Sequence, residues 1–527
     1  MLVLCHKHYE SRVLVTYSYF MNIKKSKKIM KQWHRRLSPY QTGGRLLLTT
    51  VLLSLTFTKT SLAWLIMFAL VPSLGLVYTL KPTTRVIRAI WIPGLLFSGV
   101  SMAWVLQTIP TKWTVTTSAL ARFSVIYSWT LSSLTISVGF LLIGIFISKY
   151  RNQPKKILMA LPFVWALSEI FRSYSFAIAS YGPGGHISPN FNLGSLGLAL
   201  ASTPFAFASR FVGLYGLTVL AVMINISFYL LITKKYRYAL LLFAIPALLS
   251  VAGYTLYRTS NDQIIVGVVH LGRDDFLRKW ELEKPAKDTD ILVMPEYSEF
   301  FKNPEYDNLL KNHAPDAVVV TSAETGNKGD KRNTLKFYSH AKGLIDQQDK
   351  TYLIPSGEYI PYVMTASLKL FKMQDVLDNF NETQRITKGA TPEKVVTSNN
   401  IVIGAIACSG VTNYSEYARL SRNGAQVLIS SASLSFLQNA SLYHVQEKYF
   451  TRFHAIANQK PFIQSARSDE SYVLNSNGNE IINTSGNSKL MTIDIASNTH
   501  RTLYSYVDLW IITSLLLAAI VIILKRF

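Results

Sequence analysis

Long apolar runs alternate with short polar connectors over the first half of the chain. Each run is about as long as the 20 residues that an α-helix needs to cross the hydrocarbon core of a bilayer. The pattern predicts about eight membrane helices, of which the first two could form a tight hairpin. The runs cover residues 45–58, 61–80, 88–108, 127–148, 156–177, 207–233, 237–257 and 506–524.

A different pattern occupies residues 259–505, where short apolar runs are separated by polar stretches. Continuous apolar runs of this length favour buried strands. Helix-like segments lie between them, and Asn477-Gly478 is typical of a hairpin turn. This part of the chain is therefore predicted to be an α/β sandwich, with helices outside two buried sheets. The predicted strands are 264–269, 291–294, 317–321, 401–407 and 427–430.

Four regions follow from these patterns. We expect a basic cytoplasmic leader at 1–44, a membrane domain of about seven helices at 45–258, the α/β domain at 259–505 and a C-terminal membrane helix at 506–527. The leader lacks the apolar core and cleavage site of a secretory signal, and Met21 is a plausible alternative start.

Charge sets the expected orientation. The 527 residues carry a net charge of +24, and much of the excess lies in alternate connectors between the apolar runs. The positive-inside rule places both termini in the cytoplasm and residues 259–505 outside it. A nucleic-acid partner is not expected, since no basic helix or aromatic stacking motif accompanies the charge. The basic connectors contain Lys81, Arg85, Arg88, Lys149, Arg151, Lys155, Lys156, Lys234, Lys235, Arg237, Lys525 and Arg526.

Composition excludes several other classes. Two cysteines, Cys5 and Cys408, cannot form a disulfide framework. The sequence contains no P-loop, dinucleotide fingerprint or metal-binding His/Cys cluster, so neither a cofactor nor a metal is predicted. Glu169 and Arg172 lie three residues apart in the fifth run, where a structural ion pair is the favoured interpretation.

The candidate chemistry lies in the α/β region. Glu296 and Cys408 end strand-like runs, and Lys350 precedes another short apolar run. A base, a cation and a thiol together suit acyl transfer through a thioester. Glu358, eight residues after Lys350, could act as a supporting acid or be a solvated turn residue. Cys408 could also be a small buried residue. The residues alone indicate a membrane-embedded thiol acyltransferase or amidase.

From about residue 45 onward, the chain resembles bacterial apolipoprotein N-acyltransferases, membrane proteins that carry a nitrilase-like domain. The resemblance rests on the helix order and on several motifs. These are Glu169-x-x-Arg172, Pro295-Glu296, Lys350 with the following Pro355-x-Gly357-Glu358-Tyr359-x-Pro361, Cys408, and a less specific helix with His444 and Arg452.

The resemblance implies an α-β-β-α sandwich and a transfer that needs no cofactor. It implies a phospholipid as acyl donor and a diacylated lipoprotein as acceptor, in the cytoplasmic (inner) membrane of a bacterium with the catalytic domain outside. Glu296 would be the general base, Lys350 the oxyanion partner, Cys408 the nucleophile and Glu358 a supporting acid. The backbone N–H of Ser409 would add to the oxyanion hole.

This sequence also departs from the family. Ser409 and Gly410 replace the usual aromatic residue and glutamate after the cysteine, and His270 and Gly272 replace the usual Gln and Asn. The first change is expected to leave more room beside the thiol. Two alternatives remain open, a membrane-anchored nitrilase-type amidohydrolase and a non-catalytic lipoprotein-binding protein.

Overall fold

The structure is a computed structural model. It describes residues 42–78, 83–109, 118–257, 262–272, 285–298, 304–327, 329–437 and 440–525. Nearly all of the predicted leader, with Cys5 and the alternative start at Met21, lies outside the described residues. The domain boundaries after residues 44, 258 and 505 stay predictions.

Six of the described helices are long and apolar enough to cross a membrane. The first two predicted spans instead form the shorter helices α1 (Thr42–Thr56) and α2 (Thr60–Leu74). The remaining apolar helices are α3 (Thr83–Ser101), α4 (Ser118–Tyr150), α5 (Pro154–Ala179), the short α6 (Leu196–Leu200), α7 (Ser209–Ile232), α8 (Tyr236–Leu256) and α14 (Leu503–Leu524).

Helix α2 begins as a 3-10 helix, and the buried side chain of Asn225 from α7 contacts its backbone where that 3-10 segment ends. The amide of Asn225 donates to Ile66 O at 2.8 Å, and its oxygen accepts from Leu70 N at 2.8 Å. Asn225 therefore satisfies backbone groups next to the 3-10 turn Thr60–Met67. Buried backbone groups without a partner are costly in an apolar environment, so this contact explains how the shorter, irregular helix is stable.

The intramembrane charges form a structural network, as predicted. Glu169 accepts hydrogen bonds from Ser195 Oγ at 2.7 Å, Thr218 Oγ1 at 2.6 Å and Leu196 N at 2.9 Å. Arg172 lies 4.0 Å from Glu169 and donates to Leu193 O. The pair thus joins α5 to α7 and to the start of α6, and it does not face the candidate site described below.

The extramembrane region contains two six-stranded sheets among the described residues. The first has the order β12-β1-β2-β3-β4-β5 and the second β11-β10-β9-β8-β7-β6. The strands are β1 (Gln263–His270), β2 (Ile291–Val293), β3 (Val318–Thr325), β4 (Arg332–Ser339), β5 (Gly343–Asp349), β6 (Val396–Ser398), β7 (Ile401–Ala407), β8 (Val427–Ser433), β9 (Phe462–Arg467), β10 (Ser471–Leu474), β11 (Glu480–Thr484) and β12 (Lys489–Ala496).

An apolar core fills the space between the sheets. Side chains such as Val266 and Val293 of the first sheet pack in one cluster with Ile403, Ile429 and Ile463 of the second. The flanking helices are α9 (Pro304–His313), α10 (Tyr362–Leu370), α11 (Gln374–Thr383), α12 (Tyr414–Arg422) and α13 (Ser441–Asn458). The predicted α-β-β-α sandwich beside a helical membrane domain is confirmed. The predicted hairpin is also present, since β10 and β11 pair antiparallel around Gly478, which has φ 76°.

Helix α13 connects the sandwich to the membrane domain. The buried Arg210 of α7 donates to Ile456 O at 3.1 Å and to Ser476 O at 3.0 Å. Gln446 Nε2 donates to Ser101 O at 2.9 Å, and Tyr449 OH donates to Thr56 O at 2.6 Å. These contacts hold the sandwich on the ends of the apolar helices.

Candidate active site

The three predicted residues, Glu296, Lys350 and Cys408, each follow the end of a strand and lie close together. Cys408 directly follows β7, Lys350 directly follows β5, and Glu296 lies three residues beyond β2. The chain after β2 bonds across to the second sheet, where Glu296 N donates to Ala432 O at 3.3 Å and Ser431 Oγ donates to Met294 O at 2.8 Å. The segment that carries Glu296 is therefore hydrogen-bonded to β8 of the second sheet.

Lys350 lies between two carboxylates. Its Nζ is 3.2 Å from Glu296 Oε1 and 2.8 Å from Glu358 Oε1. Its side chain is only 1% exposed, so solvent does not screen these ion pairs. Glu358 also accepts from Ile354 N at 2.8 Å. Glu358 is thus a partner of the lysine rather than a solvated turn residue.

Two further groups hold Glu296. Ser433 N donates to its Oε2 at 3.2 Å, and Asn333 Nδ2 donates to its Oε1. Asn333 is fully buried on β4, and its backbone oxygen accepts from Lys350 N at 2.7 Å. The sequence did not point to Asn333, because a single Asn within a strand carries no motif. Only the pairing of β4 with its neighbours brings it to Glu296.

Cys408 adopts a strained backbone conformation. Its φ of 41° lies in the left-handed region, at the start of a 3-10 turn over Cys408–Thr412. Such outliers in non-glycine residues are often found at functional sites. The thiol is buried, 3.9 Å from Ser433 O, in an apolar cluster against which Trp104 and Ile354 pack.

Burial and charge set the ionisation of the site. Burial raises the pKa of Glu296, and Lys350 opposes this only in part. Burial alone would lower the pKa of Lys350, but Glu296 and Glu358 raise it well above its usual value. Burial and then Glu296 raise the pKa of the Cys408 thiol. The resting site therefore holds a protonated thiol, a lysine cation and a carboxyl group with increased affinity for a proton.

The turn after the cysteine is closely packed at Gly410, and the expected extra room beside the thiol stays a prediction. A Cβ at Gly410 would lie 2.1 Å from Ile406 Cγ2, so that volume is already filled. The hydroxyl of Ser409 donates to Tyr352 O at 2.5 Å, which fixes the turn to the loop after Lys350. The oxyanion role of the Ser409 N–H stays a prediction.

Other residues of the sequence motifs lie elsewhere. Arg452 donates to Ser202 Oγ at 3.1 Å, in the contact with the membrane domain. His270 is buried and lies within hydrogen-bonding distance of Ser471 Oγ and Gly486 O. His444 contacts Asp469. None of these contacts involves Glu296, Lys350 or Cys408.

An open, mostly apolar cavity of about 240 Å³ lies between the membrane domain and the sandwich. Helices α4 and α5 line one side, and α10 and α11 line the other. Trp104 and Ile354 belong both to its wall and to the packing around Cys408. The cavity also reaches Gly357, next to Glu358. The cavity and the candidate site are therefore neighbours that share part of their walls, although none of Glu296, Lys350, Glu358 and Cys408 lines the cavity.

Several solved structures are similar to part of the chain. A carbon-nitrogen hydrolase from Helicobacter pylori is 18% identical, covering 44% of this chain and 89% of that chain with a TM-score of 0.31. Nit3 of Saccharomyces cerevisiae, a member of branch 10 of the nitrilase superfamily, is 15% identical. That similarity covers 48% of this chain and 96% of Nit3, with a TM-score of 0.33. The C. elegans NitFhit protein is 14% identical, and the similarity covers 51% of this chain and 66% of NitFhit, with a TM-score of 0.35.

Family-level similarity covers both regions. No curated protein is similar enough to the chain to count as a match. Residues 49–227 match the family described as apolipoprotein N-acyltransferase N-terminal domain, and residues 305–503 match the carbon-nitrogen hydrolase family. These matches confirm the predicted resemblance: the chain combines the N-terminal membrane domain of the apolipoprotein N-acyltransferases with a carbon-nitrogen hydrolase domain of the nitrilase superfamily.

Proposed function

We propose that this membrane protein transfers a fatty acyl chain from a phospholipid to the N-terminal amine of diacylglyceryl-cysteine lipoproteins, through a thioester on Cys408. One observation carries the proposal: an apolar cavity bordered by membrane helices shares Trp104 and Ile354 with the apolar packing around Cys408. An amidohydrolase of small soluble amides does not need such a cavity. A long apolar chain does, because burying it there removes its surface from water.

The first half-reaction acylates the enzyme. Glu296 takes the thiol proton, and Cys408 Sγ attacks the ester carbonyl carbon of the phospholipid. Lys350 Nζ and the Ser409 N–H stabilise the negative charge that develops on the carbonyl oxygen. The ester C–O bond then breaks, and Glu296 returns the proton to the lysophospholipid oxygen. Since the pKa of Cys408 is raised, the reaction depends on this base.

The second half-reaction releases the acyl chain. The neutral amine of the acceptor attacks the thioester carbonyl, and Glu296 accepts a proton from the nitrogen. The C–S bond breaks, the proton passes to Cys408 Sγ, and an amide is formed. Throughout both steps, Glu358 keeps the Lys350 cation in position through its 2.8 Å contact.

A direct assay tests the whole reaction. The purified full-length protein would be supplied with phospholipid and a synthetic diacylated lipopeptide, and the lipopeptide mass would be followed. We expect a gain of one acyl chain on a free amine and no gain on an N-acetylated lipopeptide. Release of free fatty acid without lipopeptide acylation would instead support the amidohydrolase type of reaction, with water as acceptor. If neither product forms, the proposed acyl transfer is contradicted. Hydrolysis of an added amide substrate would then distinguish the amidohydrolase from the non-catalytic alternative.

Membrane orientation gives a second prediction. The basic residues on alternate connectors support an orientation with the sandwich outside the cytoplasm, where the acceptor lipoproteins are expected. An alkaline phosphatase reporter fused within 329–437 should be active, and one fused after Lys235, between α7 and α8, should be inactive. The reverse pattern would contradict the proposed inner-membrane topology.

The pH dependence follows from the carboxyl group of Glu296. It must be ionised to accept the thiol proton, and its pKa is raised by burial. The acylation rate should therefore fall as the pH is lowered. The midpoint of this fall should lie above about 4.3, the ordinary pKa of glutamate. Lys350 should cause no loss on the alkaline side near neutrality, because its pKa is also raised. Single-turnover acylation across pH checks this, and an acid limb at the ordinary glutamate pKa would contradict it.

A further inference from the structure

A second group of ionisable side chains lies near the apolar cluster that contains Cys408. His444 and Glu447 are three residues apart on α13, so they share one helix face. Asp469 comes from the turn between β9 and β10. The neighbouring Tyr443 packs in the apolar cluster with Cys408. The group therefore joins the start of α13 to a β-turn, next to the candidate active site.

The three side chains converge on a small volume. One ligand atom from each residue lies within 4.8 Å of the others, and His444 Nδ1 contacts Asp469 Oδ2. Glu447 is buried, whereas His444 and Asp469 are partly exposed, with 23% and 13% of their side chains accessible. An ion could thus enter from solvent and reach the buried carboxylate.

A fully buried amide provides an independent observation. Gln464 Nε2 donates to Glu447 Oε1 at 3.0 Å, which places the amide beside the group. Its Oε1 is buried and has no hydrogen-bond partner among the described residues. A buried acceptor without a donor is uncommon and destabilising. A bound cation, or a water molecule held by one, would satisfy it.

The neighbouring lysine on α13 forms ion pairs with other carboxylates and does not pair with Glu447 or Asp469. The nearest lysine on α13, Lys448, is directed to Glu470 and lies 3.3 Å from Glu480. Among the described residues, His444 is therefore the basic side chain that lies beside the carboxyl groups of Glu447 and Asp469.

We propose that His444, Glu447 and Asp469 bind one divalent transition-metal ion of the zinc class. One imidazole and two carboxylates form a ligand set that zinc accepts, with ligand distances of about 2.0–2.2 Å and a fourth position for water. Binding would require His444 and Asp469, which are in direct contact, to separate so that an ion can reach all three ligand atoms. The ion would fasten α13 to the β9–β10 turn and support Tyr443 beside Cys408, so its role is structural and Cys408 chemistry does not pass through it.

The full-length protein in detergent, stripped with a chelator and dialysed, would be titrated with zinc chloride. We expect one zinc per chain by elemental analysis and a rise in the unfolding temperature. Binding should weaken at least tenfold in Asp469→Asn and in His444→Ala. The matched control is His340→Ala, since His340 and Asp307 form a His–Asp pair at 3.1 Å elsewhere in the sandwich, without a third ligand. This control should bind zinc like the wild type.

The zinc content of the wild-type protein tests the proposal by itself, so the test does not depend on whether a variant folds. Absence of stoichiometric zinc, or unchanged affinity in folded Asp469→Asn, would refute the site. Cobalt(II) offers a second readout, because a protein site with few ligands gives visible absorption that hydrated cobalt lacks. Thioester formation on Cys408 is measured separately by mass, so loss of the metal site and failure of the proposed acyl transfer remain distinguishable.

Discussion

Cys408→Ala should abolish a fatty acyl adduct that the wild-type protein acquires from phospholipid alone. A two-substrate transfer through a thiol nucleophile divides into two half-reactions, and the donor product leaves before the acceptor reacts. Intact-protein mass spectrometry should show the adduct, and neutral hydroxylamine should release it because thioesters are cleaved under those conditions. Cys5→Ala is the matched control and should keep the adduct, since Cys5 is the other cysteine of the chain.

Replacement of the groups around the thiol should slow adduct formation without preventing it. Glu296→Gln removes the base that a thiol with a raised pKa needs, and loss of a general base costs roughly 10²–10⁴-fold. Lys350→Ala removes a charged oxyanion partner, for which about 10²–10³-fold is typical. Glu324→Gln, an exposed change on β3, should have no effect. A wild-type protein that stays unacylated yet modifies lipopeptide would refute the thioester route.

Much of this architecture could be predicted because its signals are local. The apolar run of α7 and the short runs of β2 and β7 identify their own elements. Glu296 follows the β2 run, and Cys408 follows the β7 run. Likewise, Glu169 and Arg172 share a helix face by spacing alone. Each of these inferences needs only a window of a few residues.

The features that the sequence did not reveal all depend on contacts between distant segments. Asn333 reaches Glu296 only through strand pairing, and Asp469 reaches His444 only through the β9–β10 turn. The filled space at Gly410 depends on the rotamer of Ile406. The short α2 depends on Asn225, far along the chain. None of these residues belongs to a pattern of hydrophobic and polar positions.

The role of Glu358 is also decided by a contact at a distance in space. On sequence grounds, Glu358 could be a supporting acid that orients either the acceptor amine or the lysine. In the structure it is the closer of the two carboxylates to Lys350, at 2.8 Å compared with 3.2 Å for Glu296. Its negative charge also contributes to the raised pKa of Glu296. Glu358 is therefore expected to influence the first half-reaction as well, as a positioning residue.

Glu358→Gln should slow both half-reactions, because the lysine loses a partner and Glu296 becomes a weaker base when the like charge is removed. Loss of one hydrogen bond between charged groups is worth about 1.5–3 kcal/mol, which corresponds to roughly 10–150-fold in rate. The acid limb of the acylation profile should also move to lower pH, a change that general loss of structure would not produce. Single-turnover acylation by phospholipid, followed by a lipopeptide chase, separates the two steps, with Glu324→Gln as control. If Glu358→Gln acylates at the wild-type rate and fails only in the chase, Glu358 acts on the amine and its contact with Lys350 is not needed for thioester formation.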